Sequence, residues 1–272
     1  GVVYKIFERN LQRNLAMKVL SLDVAPESQE EIKRTHDYFL EEALLTAQLE
    51  HPNIVPVHDI GELANGNMFF TMKMVQGESL EKLLDKAQLR QDAYDTKYPL
   101  MKRLLIFRKI CDAVAFAHSR HIIHRDIKPE NIMVGEYGEV LLMDWGLAKY
   151  QGRPEVPIKK AATVFSLRSR QDFARTIVGD IWGTPLYISP EQLSGDSSQI
   201  DRLSDIYLLG GTLYHLLTFL APHTGNTMEE VADCSTSGKI IPHQTRSPGQ
   251  HIPTELQLIV MKALALKKED RY

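Results

Sequence analysis

His121-Ile122-Ile123-His124-Arg125-Asp126-Ile127-Lys128-Pro129-Glu130-Asn131 is the most chemically loaded stretch of this 272-residue chain. His124, Arg125, Asp126, Lys128 and Asn131 lie behind the apolar pair Ile122-Ile123 and ahead of Ile132-Met133-Val134. A polar loop clamped between two apolar runs is held in place while its side chains stay available for chemistry. Asp126 can accept a proton, Lys128 can neutralise a developing anion, and Asn131 can ligate a hard cation through oxygen.

The surrounding composition is that of an ordinary globular protein, 43% hydrophobic and 25% charged. A net charge of −3 gives no electrostatic reason to expect nucleic acid or an anionic membrane surface as a partner. Cys111 and Cys234 have neither Cys-x-x-Cys spacing nor nearby histidines, which suits buried free thiols in a reducing compartment. The most apolar run, Ile206–Ala221, is interrupted by Gly210, Gly211, Thr212 and His215, so a buried core helix is expected rather than a membrane span. The chain starts inside a strand-like run without Met, and the expectation is an excised domain whose parent continues at both ends.

Upstream of the loop, residues 1–22 alternate apolar and polar (Val3, Ile6, Leu15, Met17, Val19) around a break at 10–14, predicting two antiparallel strands. Residues 27–50 carry a helical period that Pro52 stops, with Glu41 and Glu42 at its middle. Neighbouring residues on a helix point about 100° apart, so only one of these acids can face a given partner. Ile54–Ile60 and Met68–Val75 read as strands about an Asn65-Gly66-Asn67 turn. Beyond residue 76 helices dominate: Leu80–Ala87 after a cap-like Ser79, and Pro99–Ser119. A strand-rich part followed by a helix-rich part predicts two lobes, with a hinge near 73–77.

After the loop come a short buried strand at Val140-Leu141-Leu142-Met143 and then Asp144-Trp145-Gly146. Residues 147–190 form a long connector; between Lys149 and Thr176 it holds seven basic residues against two acidic ones. A connector of this length inside a compact domain is usually functional. It closes on Gly183-Thr184-Pro185-Leu186-Tyr187-Ile188-Ser189-Pro190-Glu191.

Taken in order, these stretches resemble the catalytic domain of eukaryotic-type (Hanks-type) serine/threonine protein kinases, of the bacterial kind. His124-Arg125-Asp126-x-Lys128-x-x-Asn131 is similar to the H-R-D-x-K-x-x-N loop, Asp144-Trp145-Gly146 to D-F-G, and Ser189-Pro190-Glu191 to A-P-E. Ala16-Met17-Lys18 is similar to V-A-I-K, and Gly1-Val2-Val3 to the end of the glycine-rich loop, whose first two glycines are not in this sequence. A lone lysine in a strand is ordinarily just solvent-facing, and Lys18 gains meaning only from this context. The resemblance implies an α+β, bilobal protein-kinase fold: a small antiparallel-sheet N-lobe with one main helix (1–74) and a larger, mainly helical C-lobe (75–272), together one kinase domain.

It further implies transfer of the ATP γ-phosphate to protein serine or threonine hydroxyls, with Mg²⁺ (or Mn²⁺). Asp126 would be the catalytic base and Lys128 would stabilise the transferring group. Lys18, held by Glu42, would grip the phosphates. Asn131 and Asp144 would hold the metal; Gly1, Val3, Ala16, Met72, Lys73, Met74 and Met133 would surround the nucleotide. Thr184, Glu191, Asp205 and Arg271 would support the substrate segment and its anchoring. Arg125 would receive a phosphate from the connector, with Thr176 first and Thr163, Ser166 and Ser169 behind it as phosphosites. Implied partners are protein substrates and a kinase–kinase dimer for trans-phosphorylation, with no nucleic acid and no membrane contact in this segment. The implied place is the cytoplasm, as the catalytic part of a larger membrane-anchored protein. Two rivals are a pseudokinase scaffold and a small-molecule phosphotransferase; the first requires loss of a catalytic residue, the second does not need Gly183–Glu191.

Overall fold

The computed structural model describes residues 1–20, 29–89, 97–151, 186–194, 196–225 and 227–272. By packing, the chain forms two compact units. One comprises Gly1–Leu80, Arg108–Asp126 and Glu130–Lys149; the other comprises Glu81–Phe107, Ile127–Pro129 and Tyr150–Tyr272.

The first unit is built on β1 (Val2–Glu8) and β2 (Arg13–Val19), which pair antiparallel with Val3 opposite Lys18. Strands β3 (Val57–Glu62) and β4 (Met68–Lys73) complete a sheet of order β1-β2-β4-β3. The turn between them closes at Gly66, whose φ of 83° is open to glycine without strain, while the Asn65 side chain accepts the Asn67 N–H at 3.1 Å. Side chains alternate across a sheet and direct partners share a face, so Ala16, Lys18 and Leu20 line up with Phe70 and Met72. Helix α1 (Gln29–Ala47) covers that face. Phe39 and Ala43 close on Leu20 and Phe70, with the two phenyl rings 5.1 Å apart. Each fully buried aromatic or aliphatic side chain here contributes roughly 1.5–3 kcal/mol.

A second, smaller sheet joins β5 (Gly77–Ser79), β7 (Ile132–Gly135) and β8 (Val140–Leu142) in the order β5-β7-β8. Ser79 ends β5 opposite Met133, and helix α2 (Leu80–Leu89) begins directly after it. Gly77 has a packing reason, because a Cβ there would lie 2.2 Å from the Val134 carbonyl oxygen. Helix α3 (Leu100–Ser119) leads into β6 (Ile122–Ile123), and His121 between them takes the left-handed φ of 60° that ends the helix.

The second unit is organised around α5 (Arg202–Thr218), which follows the short helix α4 (Pro190–Leu193). The Asp201 carboxylate caps α5 by accepting the Leu203 N–H, and from Tyr207 to Thr218 every residue is buried. A helix apolar all round belongs in a core, which agrees with the expectation for Ile206–Ala221. At its far end the buried Arg103 donates to the Leu216 carbonyl at 3.0 Å and stacks on Phe219, whose φ of 60° ends the helix. Around it lie α6 (Met228–Thr236), α7 (His243–Arg246) and α8 (Thr254–Ala263). Gly210 lets α8 approach closely: a Cβ there would lie 2.8 Å from the Ala263 Cβ.

Three tyrosine–histidine ring pairs surround α5: Tyr187–His215, Tyr207–His223 and Tyr214–His243. The first two are hydrogen-bonded, at 2.5 and 3.0 Å. Burial pushes His215 down to about 3 and His223 down to about 4, and lowers His243 as well. The native state thus refuses protons that the unfolded chain takes up below pH 6.5. Stability from these groups is fully present above pH 6.5 and is lost as pH falls towards 4, at about 1.4 kcal/mol per pH unit for each refused proton. Urea unfolding at pH 7.5, 6.0 and 5.0 is expected to show that decline, and His215→Gln/His223→Gln is expected to flatten it.

Candidate active site

Lys18 sits on the central strand β2, on the face covered by α1, so its ammonium points at the helix rather than into water. Its Nζ lies 2.5 Å from Glu42 Oε1, 3.4 Å from Asp144 Oδ1 and 5.7 Å from the Phe70 ring centre. The glutamate choice is resolved by exposure: Glu42 is 6% exposed, whereas its neighbour Glu41 is exposed. The Lys18 and Glu42 side chains are both largely screened from solvent, and such a pair is strong only because each partner is satisfied. Asp144 remains 42% exposed.

Gly146 explains itself in this geometry. A Cβ there would stand 3.0 Å from Glu42 Oε2 and 3.2 Å from Asp144 Oδ1, so any other residue would push on the two carboxylates that meet Lys18.

The loop after β6 is locked through His124, which is fully buried. Its Nδ1 accepts the Asp126 backbone N–H at 3.2 Å, and its Nε2 donates to the Met143 carbonyl at 3.2 Å. Because an amide can only donate and a carbonyl only accept, this fixes the neutral Nε2–H tautomer. One imidazole thereby spans the Asp126 loop and the turn carrying Asp144. Asn131, at the end of the 3₁₀ turn Pro129–Asn131, donates its amide to the Asp126 carbonyl (2.8 Å) and to Asp126 Oδ2 (2.9 Å). With Nδ2 committed, its Oδ1 is the atom available to a cation.

Two residues of this centre stand in the left-handed region, Arg125 at φ 71° and Asp144 at φ 57°. Non-glycine residues hold that conformation only when their surroundings over-determine it, at a cost of about 1–3 kcal/mol each. No periodicity in the sequence announces this. It is set by the paired hydrogen bonds to His124 and by the crowding at Gly146.

Trp145 departs from expectation in one respect. A buried indole N–H calls for an acceptor, yet Trp145 is 1% exposed, tilts against His124 with ring centres 4.4 Å apart, and its Nε1 has no hydrogen-bond partner among the described residues. An orphaned buried donor costs about 1–3 kcal/mol. Removing it offsets much of the volume lost in Trp145→Phe, so that variant is expected within about 1 kcal/mol of the wild type, whereas Trp145→Ala is expected to lose roughly 3–5 kcal/mol. A urea-unfolding loss well above that for Trp145→Phe would show that the indole is satisfied after all.

Four of the nucleotide-contact candidates share one face of the first unit's main sheet. Gly1, Val3, Ala16 and Met72 lie on the same face as Lys18, by register and alternation. Met133 is half-buried on β7 opposite Ser79 and Leu141. The Lys73 N–H donates to the Pro56 carbonyl at 3.1 Å. Its side chain pairs with Glu139 at 2.5 Å. Met74 lies just beyond β4.

In the second unit Lys128 is half-buried, and Asp205 is fully buried on the first turn of α5. Glu191 and Arg271 meet as a buried two-toothed pair, with N–O distances of 2.7 and 3.0 Å. Burial alone would push the Glu191 carboxyl up, but hydrogen bonds from Arg271 and Ser204 outweigh it and hold the group below the usual carboxylate range. Thr184, Thr176, Thr163, Ser166 and Ser169 lie outside the described residues. The sequence shows no signal for the contacts of Asn53, whose side-chain amide donates to the Val140 carbonyl at 2.9 Å and whose carbonyl accepts the Leu142 N–H at 2.8 Å.

The site thus gathers a lysine–glutamate pair reaching an aspartate, and a second aspartate bonded to an asparagine. Residues 1–272 match the protein kinase domain family in full, and the chain belongs to that family. Among individual proteins, it is 34% identical over 276 residues to serine/threonine-protein kinase PknD of Protochlamydia amoebophila (strain UWE25), which covers 100% of this chain and 27% of that protein. It is likewise 34% identical to PknD of Chlamydia trachomatis serovar D over 279 residues, 29% of that protein, and to PknD of Chlamydia pneumoniae over 281 residues, 28% of that protein; both matches cover 100% of this chain. The chain thus spans a little over a quarter of the length of these curated relatives.

Proposed function

We propose that this chain is a serine/threonine protein kinase domain that transfers the γ-phosphate of ATP to hydroxyls of protein substrates, with residues 1–74 and 75–272 as its lobes. The observation that carries this reading is the convergence of Lys18, Glu42 and Asp144, with Asp126 and Asn131 bonded to each other nearby in sequence. Lys18 neutralises phosphate oxygens, and Glu42 keeps the ammonium aimed. Asp126 orients the acceptor hydroxyl and takes its proton as the oxygen attacks phosphorus. Lys128 offsets the charge on the transferring group, and Thr184 supports Asp126.

Asn131 Oδ1 and the Asp144 carboxylate suit a hard divalent cation, which supplies charge neutralisation across the phosphates when bound. Among the described residues no group of three or more His, Cys, Asp and Glu side chains could hold a metal alone. That fits Mg²⁺ (or Mn²⁺), which binds through one or two protein oxygens with phosphate oxygens completing the shell. Gly1, Val3, Ala16, Met72, Lys73, Met74 and Met133 form the adenine and ribose surroundings. Glu191, Asp205 and Arg271 brace the segment that receives the substrate.

Arg125 is the receptor for a phosphate on the basic connector, Thr176 being the first site and Thr163, Ser166 and Ser169 the alternatives, phosphorylated in trans between two copies. The relatives' names speak for serine and threonine as acceptors, and their length speaks for a larger protein; the cytoplasm, as part of a membrane-anchored protein, is the place the resemblance implies. Among the described residues no helix is long and apolar enough to cross one.

The test is incubation with labelled ATP, a divalent cation and a generic basic protein, followed by acid hydrolysis and separation of phosphoamino acids. Phosphoserine and phosphothreonine are expected. Phosphotyrosine alone, or label only on a small-molecule acceptor, overturns the assignment, and nucleotide binding without transfer would establish the pseudokinase reading instead.

A further inference from the structure

Helix α7 ends on Arg246, a half-buried residue of the second unit. Among the described residues its guanidinium makes one hydrogen bond, from Nη2 to the Ala221 carbonyl at 3.4 Å, which is long for an N–H donor. Its Nε is shielded from water with no partner, and it joins no ion pair among those residues. Arg271 is the contrast, since two of its nitrogens meet the Glu191 carboxylate. A guanidinium screened from water without a counter-charge is costly to hold, and it has bonding capacity left for an anion from outside. A carboxylate or a phosphate suits that planar fork, with two parallel bonds.

The neighbours of Arg246 connect it to the connector's closing stretch. His243, three residues earlier on α7, tilts against Tyr214 of α5 with ring centres 4.8 Å apart, and the Tyr214 hydroxyl donates to the Ile241 carbonyl at 2.7 Å. Helix α7 is thereby seated on the turn of α5 that carries Tyr214 and His215. The Arg246 charge is felt at both: burial pushes Tyr214 up to about 12 against its pull, and burial takes His215 down to about 3 with the same charge adding to the effect. His215 in turn bonds the Tyr187 hydroxyl through Nδ1 at 2.5 Å, the two rings stacked. Tyr187 lies in the stretch that, in the kinase reading, serves the protein substrate. Near pH 7 Arg246 is therefore the one full charge among Tyr187, Tyr214, His215, His243 and itself, and that charge is positive. We infer that Arg246 is a specificity-determining residue for the protein substrate, taking an anionic side chain, carboxylate or phosphate, close in sequence to the acceptor serine or threonine. The inference rests on the kinase reading above and deepens it by naming the favoured substrate class.

The experiment measures kcat/KM for peptides with one serine in an otherwise neutral sequence. One glutamate is walked through the positions on either side of the acceptor and compared with glutamine at the same place. Wild type is expected to favour glutamate about tenfold at one position, the worth of a charged hydrogen bond. Arg246→Gln is expected to bring that ratio close to one, and Arg246→Glu to move the preference to lysine at the same position, which a merely structural role would not do. Phosphoserine at that position tells the two anions apart: a preference for it over glutamate identifies phosphate as the group read, and the reverse identifies carboxylate. Equal use of glutamate, phosphoserine and glutamine by wild type at every position overturns the inference. So does a preference that survives whole in Arg246→Gln. Should that variant unfold, Arg246→Met, which keeps the aliphatic stem, carries the same comparison. Titration of the same peptides by fluorescence anisotropy gives the ratios without turnover. Absence of transfer to every peptide would thus remove the kinase reading, while the binding ratios still decide the role of Arg246.

Discussion

Lys18→Met is expected to reduce phosphate transfer about 10²–10³-fold, the usual cost of deleting one preorganised charge at a developing anion. The side chain keeps its length and its packing over Phe70, so a fold defect does not explain the loss. What changes is electrostatic: Glu42, 6% exposed, loses its cation, and Asp144 loses its neighbour at 3.4 Å. Glu42→Gln should be milder, about 10-fold, because the ammonium remains but is no longer aimed. Steady-state kinetics with ATP varied, beside a thermal melt of each variant, checks both. Equal activity of Lys18→Met and wild type would mean that the 2.5 Å pair is merely structural.

Arg271→Ala is the second large effect, and it falls on stability. The guanidinium is fully buried and makes five bonds: two to the Glu191 carboxylate and one each to the carbonyls of Leu203, Ala265 and Leu266. Its carbon also lies 4.7 Å from the centre of the Tyr207 ring. Truncation leaves Glu191 buried without its counter-charge, a change that costs about 3–5 kcal/mol and, for a domain of this size, about 10 °C in Tm. Arg271→Lys should recover little of it, since a point charge cannot reproduce the fork. The Glu191 carboxyl lies below its ordinary range in the folded state, so the wild-type pair contributes above the unfolded pKa near 4.5 and is lost as pH falls through the lower folded value. The gap between wild type and Arg271→Ala is therefore expected to narrow in acid. A Tm within 2 °C of wild type for Arg271→Ala would mean that the pair is not what braces α4 against α5.

Much of this was legible in the residues. Alternation placed Lys18 on a strand and the 3.6 period placed Glu42 on a helix, because both elements bury one face and the pattern records which. The chemistry of 124–131 and 144–146 was equally open, since short loops between apolar runs keep their order of side chains in space. The remainder depends on contacts distant in sequence. The resemblance already favours Glu42 over Glu41, but the seat of α1 on Phe39 and Phe70 that turns it inward is a matter of packing. The left-handed backbone at Arg125 and Asp144 follows from bonds to His124 on either side, and the grip of Asn53 on β8 joins residues 87 positions apart. The unsatisfied Trp145 indole is likewise invisible in the sequence, which shows a donor but not whether an acceptor reaches it.

The central claim is that Asp126 is the base of a working phosphoryl-transfer centre. A single-turnover measurement of γ-phosphate transfer by wild type and Asp126→Asn, with Mg-ATP prebound, tests it most directly. The asparagine keeps the size of the side chain and a hydrogen-bonding oxygen towards Asn131 Nδ2, so nucleotide affinity should be retained while the transfer step slows by about 10²-fold or more. Equal transfer rates for the two proteins at equal nucleotide occupancy would contradict the account.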